Sequence, residues 1–178
     1  IRLVGSEMCI RDSFRRTFDK VAKHYPNIST DYGYIDAFTQ WLTRIPEHYD
    51  VVVTSNMFGD IATDLASVLQ GGMGMAGSGN IGDDHAFFEP VHGSAPKYAG
   101  MNKVNPIASI NSIQMMMEWL GRKNNSQDIL DIATAIETSV SAHLAEGKHL
   151  TYDLGGDATC SMVGDLISRR LADILSEN

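Results

Sequence analysis

Residues 50–67 read DVVVTSNMFGDIATDLAS. The first six form a short, continuously apolar run of β-branched residues, which predicts a strand buried on both faces of a parallel sheet. The run feeds directly into a helix predicted over 59–70, which Gly71 and Gly72 end. A strand passing at once into a helix is the unit of an α/β fold. Working upstream, Phe14, Phe18, Val21, Ala22 and Tyr25 recur at helical spacing and Pro26 stops them, predicting a helix over 14–25. A Tyr-rich strand is predicted over 30–35, and a second helix over 36–45 before Pro46. Downstream, 71–84 reads as loop and 86–89 as a short strand. Helices are predicted over 106–120, 127–145 and 160–175, with a polar loop at 151–156. Met115–Met117 and Trp119 fall at the core-facing spacing of the first of these helices.

The chain of 178 residues carries 14 Lys+Arg against 22 Asp+Glu, a net charge of −8. That balance argues against a nucleic-acid surface, which needs clustered cations, and against attraction to an anionic membrane. An anionic substrate stays possible where a metal ion or a local basic cluster supplies positive charge. A hydrophobic content of 43% is enough for a packed core. Two conventional domains would need about 150 residues each, so the chain is short for a two-domain protein. The two cysteines, Cys9 and Cys160, lie far apart, which reads as a reduced protein of the cytoplasm, or of the mitochondrial matrix in a eukaryotic cell. No apolar run of about 18 residues is present to span a membrane. Residues 3–13, LVGSEMCIRDS, resemble translated junction sequence. Residues 1–13 are therefore set apart as a foreign or disordered leader, and the domain is expected over 14–178.

Three groupings could carry chemistry. Asp60 and Asp64 stand i, i+4 on one helix face, either as a solvated acidic face or as oxygen ligands for Mg²⁺ or Mn²⁺. Gly72-Met-Gly74-Met-Ala-Gly77 matches G-x-G-x-x-G but follows a helix and runs into more loop, the wrong context for a Rossmann fingerprint. Residues 88–100, FEPVHGSAPKYAG, place Gly93 and Gly100 around a loop stiffened by Pro90 and Pro96. Backbone N–H groups, Ser94, Lys97 and Tyr98 could meet a phosphate there, and His92 could hydrogen-bond or stack; a purely structural turn is the alternative. His24, His48 and His143 read as surface or helix-end residues, and Arg169–Arg170 as complements to a helix dipole.

Taken together, SNMFGDIATDLAS, FEPVHGSAPKYAG and the following KVNP resemble the β-decarboxylating dehydrogenases of the isocitrate/isopropylmalate group. The resemblance runs from about Phe14 to the C-terminus. It implies that family's α/β fold, which is not a Rossmann fold, with its C-terminal strand and helix layers. It implies that Asp60 and Asp64 hold Mg²⁺ or Mn²⁺ against the substrate, and that Asp36 reaches the metal site of a neighbouring subunit, so that a homodimer shares its active sites. It assigns the coenzyme contacts to Glu89, His92, Gly93, Ser94, Ala95, Lys97, Tyr98, Val104, Asn105, Tyr152 and Asp153. The substrate implied is a small 2-hydroxy di- or tricarboxylate.

Lys97, Tyr98 and Tyr152 resemble the NADP type, in which such residues meet the 2′-phosphate. Gly156 departs from it, because that type carries Arg there, and the DLGG segment is closer to NAD members. NADP with isocitrate is the expectation. The alternatives are 3-isopropylmalate or another family substrate with NAD, a non-catalytic regulatory subunit, and a plain interaction domain. The resemblance also implies that the chain corresponds to the latter part of the family fold. The family's catalytic Lys and Tyr, and its Ser/Arg substrate cluster, precede the counterpart of Phe14, so no catalytic residue is expected within this chain.

Overall fold

The computed structural model describes residues 2–5 and 9–176. They fall into two compact units, 1–69 and 70–178.

In the first unit, β1 (Arg2–Gly5) is followed by α1 (Cys9–Ala22), β2 (Asp31–Tyr34), α2 (Ile35–Arg44), β3 (Val52–Thr54) and α3 (Asn56–Ser67). The strands form a parallel sheet in the order β2-β1-β3, with Leu3 opposite both Tyr32 and Val53. Parallel neighbours need crossover connections, and the helices supply them. The helix predicted from Phe14 begins at Cys9, and the sheet includes Arg2–Gly5, so nine described residues of the stretch set apart as a leader lie in regular structure; Ile1 and residues 6–8 lie outside the described residues.

The predicted strand over 50–55 contracts to Val52–Thr54, and all three residues are half-buried rather than buried. Among the described residues β3 pairs only with β1, and an edge strand in a three-stranded sheet has less cover than a central one. The core of this unit is Phe38 and Leu42 from α2 against Ala62 from α3, with Tyr49, Val52 and Leu65 packed around them. Phe38 meets Tyr49 edge to face at 5.0 Å. Burying a Phe side chain is worth about 2 kcal/mol, so this contact ties α2 to the unit.

The second unit opens with a two-stranded antiparallel hairpin, β4 (Gly77–Ile81) and β5 (Ala86–Pro90), in the register Gly77↔Pro90 to Ile81↔Ala86. Three helices follow: α4 (Ile107–Asn124), α5 (Gln127–Glu146) and α6 (Cys160–Ser176). Residues 71–84 are thus not all loop. Strand β4, GSGNI, has almost no β propensity of its own and forms because β5 pairs with it along its whole length. Its Gly79 lies under the Phe88 ring, where a Cβ would stand 3.0 Å from the ring carbons. The core joins Met75, Ile107, Val140, Ala158, Val163 and Ile167, from the loop before β4 to α6. Met115, Met117 and Trp119 are half-buried and Met116 is exposed, so the methionine run straddles the edge of the core rather than filling it.

His24 and His48 are exposed, as expected, but His143 in the last turn of α5 is 2% exposed. Its Nε2 is buried with no hydrogen-bond partner, as is Nε of Arg170. Arg170 instead gives its Nη2 to Glu146 at 2.6 Å, an ion pair across α5 and α6 that replaces the helix-dipole role expected of it. Burial holds the His143 pKa below the usual imidazole value, and the Arg170 charge adds to this. The unfolded chain therefore takes up this proton at a higher pH than the folded chain does. Above pH 6.5 His143 is neutral in both states and contributes nothing to the pH dependence. As pH falls below 6.5 the unfolded state binds the proton first and stability drops, by at most about 1.4 kcal/mol per pH unit. Urea unfolding between pH 7.5 and 5 is expected to show this slope, and His143→Leu is expected to flatten it.

Candidate functional site

The acidic pair lies in the first unit. Asp60 and Asp64 both lie exposed on α3, one turn apart. Asp60 accepts a hydrogen bond from Asn56 Nδ2 at 3.0 Å through Oδ2. That bond fixes the carboxylate, and a carboxylate oxygen has further lone pairs for a cation. A pair of aspartates without nearby imidazole or thiolate suits a hard cation with oxygen ligands, so Mg²⁺ or Mn²⁺ fits this donor set. Asp36, in the first turn of α2, is also exposed, and its Oδ1 accepts the Ala37 N–H at 2.7 Å. No group of three or more His, Cys, Asp or Glu side chains in ligating arrangement occurs among the described residues. A single chain does not bring Asp36 to Asp60 and Asp64.

The coenzyme candidates lie in the second unit. Glu89 stands exposed on β5 opposite Ser78. Val91 returns its N–H to the Ala76 carbonyl at 3.0 Å, which anchors the loop to the start of the hairpin. The half-buried His92 places Nδ1 2.9 Å from the Gly93 carbonyl. A carbonyl only accepts, so Nδ1 carries the proton and Nε2 is left as an acceptor in the neutral ring. Gly93, Ser94 and Ala95 are exposed. Ala95 sits in the left-handed region at φ 44°, a conformation costing an L-residue about 1–2 kcal/mol. It turns the chain into the single helical turn Pro96–Tyr98, where the Tyr98 N–H bonds the Ala95 carbonyl at 2.9 Å.

That turn aims Lys97 and Tyr98 toward the loop after α5. The Tyr98 and Tyr152 rings are 5.7 Å apart, although 53 positions separate them in sequence. Hydrogen bonding with Tyr152 and Lys97, together with the Lys97 charge, holds the Tyr98 hydroxyl below the ordinary phenol range. Tyr152 moves the other way, because its proton is engaged in that bond. Lys97 Nζ lies 5.1 Å from the Tyr98 ring centre. Lys103 joins them, its Nζ 4.4 Å from the Tyr152 ring centre and 5.9 Å from that of Tyr98. Two ammonium groups and two phenols at one spot form a donor set for a phosphomonoester dianion. Lys103 sits inside the KVNP motif and was not among the sequence candidates. Its proximity to Tyr152 was the missing information.

Asn105 and Asp153 also meet, but as a brace. Asn105 is buried and gives Nδ2 to Asp153 Oδ2 at 3.0 Å, while its Oδ1 accepts the Ile107 N–H at 3.0 Å. Asp153 Oδ1 accepts the hydroxyl of the buried Thr151 at 2.5 Å. The brace joins the start of α4 to the loop that carries Tyr152, leaving the neighbouring Val104 at the surface. It also explains the glycine motif: a Cβ on Gly74 would come within 2.7 Å of Asp153 Oδ2 and 3.1 Å of Asn105 Cβ. Gly74 is there for close packing, and no dinucleotide fingerprint is needed to account for it.

Comparison with known proteins matches residues 7–167 to the sequence pattern described as isocitrate/isopropylmalate dehydrogenase. The chain belongs to the isocitrate/isopropylmalate dehydrogenase family. It is 44% identical over 162 residues to a 3-isopropylmalate dehydrogenase of Streptomyces griseus, covering 89% of this chain and 43% of that protein. It is 46% identical over 154 residues to a homoisocitrate dehydrogenase of Methanocaldococcus jannaschii, covering 86% and 42%. The fold superposes on the crystal structure of isocitrate dehydrogenase from Methylococcus capsulatus with a TM-score of 0.84 at 35% identity, covering 96% of this chain and 50% of that one. The chain thus spans less than half the length of these curated relatives. Within the isocitrate/isopropylmalate dehydrogenase family, the α/β fold expected from sequence is the fold observed.

The glycine at position 156 has a steric basis. A Cβ on Gly156 would stand 2.0 Å from the Leu150 carbonyl oxygen and 2.6 Å from its carbon. The Gly156 N–H is bound to the Thr151 carbonyl at 3.0 Å, so the backbone cannot step aside without losing that bond. In this loop no arginine can occupy position 156.

Proposed function

We propose that the chain supplies the metal carboxylates and the coenzyme loop of a dehydrogenase that oxidises and decarboxylates a 3-substituted malate of the 3-isopropylmalate type, with NADP as oxidant. One observation carries this reading: a family member 44% identical to a 3-isopropylmalate dehydrogenase carries the Asp60–Asp64 face and brings Lys97, Tyr98 and Tyr152 into one cluster. In the overall reaction the C2 hydroxyl loses its proton and the C2–H bond gives a hydride to NADP, the C3–carboxylate bond breaks to give CO₂, and a proton returns to C3. Asp60 and Asp64 would hold the cation. When bound, Mg²⁺ or Mn²⁺ supplies Lewis-acid polarisation of the substrate oxygens. NADP supplies the hydride acceptor, and Lys97 and Tyr98 would fix its phosphate end. The Asn105–Asp153–Thr151 brace keeps the Tyr152 loop in place.

The proposal extends to a homodimer in which Asp36 of one copy approaches Asp60 and Asp64 of the other. Support comes from the exposure of Asp36 on α2 and from apolar side chains left open on α3, with Ile61 at 53% and Met57 at 60%. The two distant cysteines suit a reducing compartment such as the cytoplasm or mitochondrial matrix. No described helix is long and apolar enough to cross a membrane.

The full-length protein carrying this segment is to be assayed with 3-isopropylmalate, homoisocitrate and isocitrate, each with NADP and NAD, in Mn²⁺ and in EDTA. The expected result is Mn²⁺-dependent turnover of 3-isopropylmalate with NADP preferred at least tenfold. Turnover of isocitrate with NADP would favour the second reading, which rests on the 0.84 superposition on isocitrate dehydrogenase. Preference for NAD would remove the coenzyme assignment, and undiminished activity in EDTA would remove the metal.

A further inference from the structure

We propose that Lys103 is a specificity-determining residue for the phosphate-bearing coenzyme, supplying from the loop before α4 the positive charge that position 156 cannot carry. The inference rests on the NADP reading above. Gly156 is closed to any side chain by the Leu150 carbonyl 2.0 Å from its Cβ position. Position 156 therefore supplies no cation to the cluster. Lys103 fills that place from the opposite wall. Its Nζ stands over the faces of both tyrosines, 4.4 Å and 5.9 Å from their centres. Its charge contributes to lowering the Tyr98 hydroxyl, so it acts at the same oxygen as Lys97. A lysine held against ring faces keeps its ammonium hydrogens available for a ligand.

The surroundings show why the second cation matters. Lys103 lines a groove of about 380 Å³ with Met101, Asn102, Tyr152, Gly156 and Asp157. Asp157 is exposed at the groove wall, and Asp153 lies on the same loop. Asp157 in the lining disfavours a dianion, and Lys103 is the cation of the lining that offsets it. With Lys103 the balance suits a phosphomonoester, whereas a ribose hydroxyl gains little from the added charge.

The test is the ratio of kcat/KM for NADP to that for NAD in the full-length enzyme, as wild type, Lys103→Met and Lys103→Arg. Competition by adenosine 2′,5′-bisphosphate against 5′-AMP gives a second measure of phosphate selectivity. Lys103→Met is expected to lower the coenzyme ratio about tenfold and to weaken the bisphosphate by a similar factor. Lys103→Arg, which keeps the charge, is expected to recover most of both. A wild type that prefers NADP and keeps that preference in Lys103→Met would overturn the inference while leaving the NADP reading intact. A wild type that prefers NAD and ignores the 2′-phosphate would overturn the NADP reading and this inference with it. Loss in Lys103→Met without recovery in Lys103→Arg would mean that the lysine acts through packing, which also contradicts the proposal.

Discussion

Replacing Asp60 by Asn is expected to lower Mn²⁺-dependent kcat/KM of the full-length enzyme about 10³-fold while leaving its melting temperature within about one degree. The two halves of that expectation have separate causes. Asn keeps the size of Asp and can still accept from Asn56, now 3.0 Å from Asp60 Oδ2, so the helix loses little. Both carboxylates on α3 are exposed, and relieving an i, i+4 repulsion between like charges changes stability by a few tenths of a kcal/mol in the favourable direction. Function is different, because a neutral amide no longer offsets the charge of a divalent cation. Loss of a metal's Lewis-acid assistance costs several kcal/mol of transition-state stabilisation, and about 4 kcal/mol is a factor of about 10³. Asp64→Asn is expected to behave alike, and the double variant to lose little more than either single one, because the two act as one site. Melting curves beside Mn²⁺ titrations of activity separate this outcome from simple unfolding. If Asp60→Asn instead retains wild-type activity at low Mn²⁺, the acidic face is only a solvated one.

Gly156→Ala should be among the most destabilising single-methyl additions in the second unit, at about 3 kcal/mol. A Cβ there meets the Leu150 carbonyl oxygen at 2.0 Å, its carbon at 2.6 Å and its Cα at 3.0 Å, all backbone atoms. Those atoms are pinned from both sides: the Leu150 carbonyl accepts from Ala158 N–H at 2.9 Å, and the Thr151 carbonyl from Gly156 N–H at 3.0 Å. The methyl must break one of these bonds or push the loop off the core beneath Ala158 and Leu154. Overpacking against a fixed wall costs about 1–3 kcal/mol, and a lost buried backbone hydrogen bond adds to it. Because Tyr152 and Asp153 ride on the same loop, KM for the coenzyme is expected to rise as well. Gly164→Ala is the control. That glycine lies in α6 with nothing within 4 Å of its Cβ position, so the same methyl is expected to stabilise by up to about 1 kcal/mol through helix propensity. Opposite signs for the two substitutions in a urea titration would confirm the steric account. A neutral Gly156→Ala would show that the loop moves freely.

The helices of the second unit were readable because breakers bracket them and their apolar spacing is regular: α5 starts at Gln127 as predicted and ends at Glu146, one residue past the prediction. Strand β4 was not readable, since Gly77, Ser78, Gly79 and Asn80 signal a turn and only pairing with β5 makes them a strand. Strand β3 was recognised by its valines, but its half-burial depends on its place at the sheet edge, which composition does not encode. At the site, Lys97, Tyr98 and Tyr152 were candidates by motif resemblance alone. Their convergence with Lys103, and the Thr151–Asp153–Asn105 brace, depend on tertiary proximity across some 50 residues. His143 looked like a helix-end residue and is buried, because α6 covers that end of α5 with Arg170. Gly74 and Gly77 of GMGMAG show the converse error to be avoided, since a phosphate motif by spelling is at these two positions a packing device.

The most direct test of the whole account is the stoichiometry of the reaction catalysed by the full-length enzyme, measured as reduced nicotinamide at 340 nm beside released CO₂. With 3-isopropylmalate, NADP and Mn²⁺, one NADPH and one CO₂ are expected per substrate consumed, both abolished by EDTA and both lost together in Asp60→Asn. Reduced coenzyme formed without CO₂, or CO₂ released in the presence of EDTA, would contradict a metal-dependent oxidative decarboxylation built on Asp60 and Asp64.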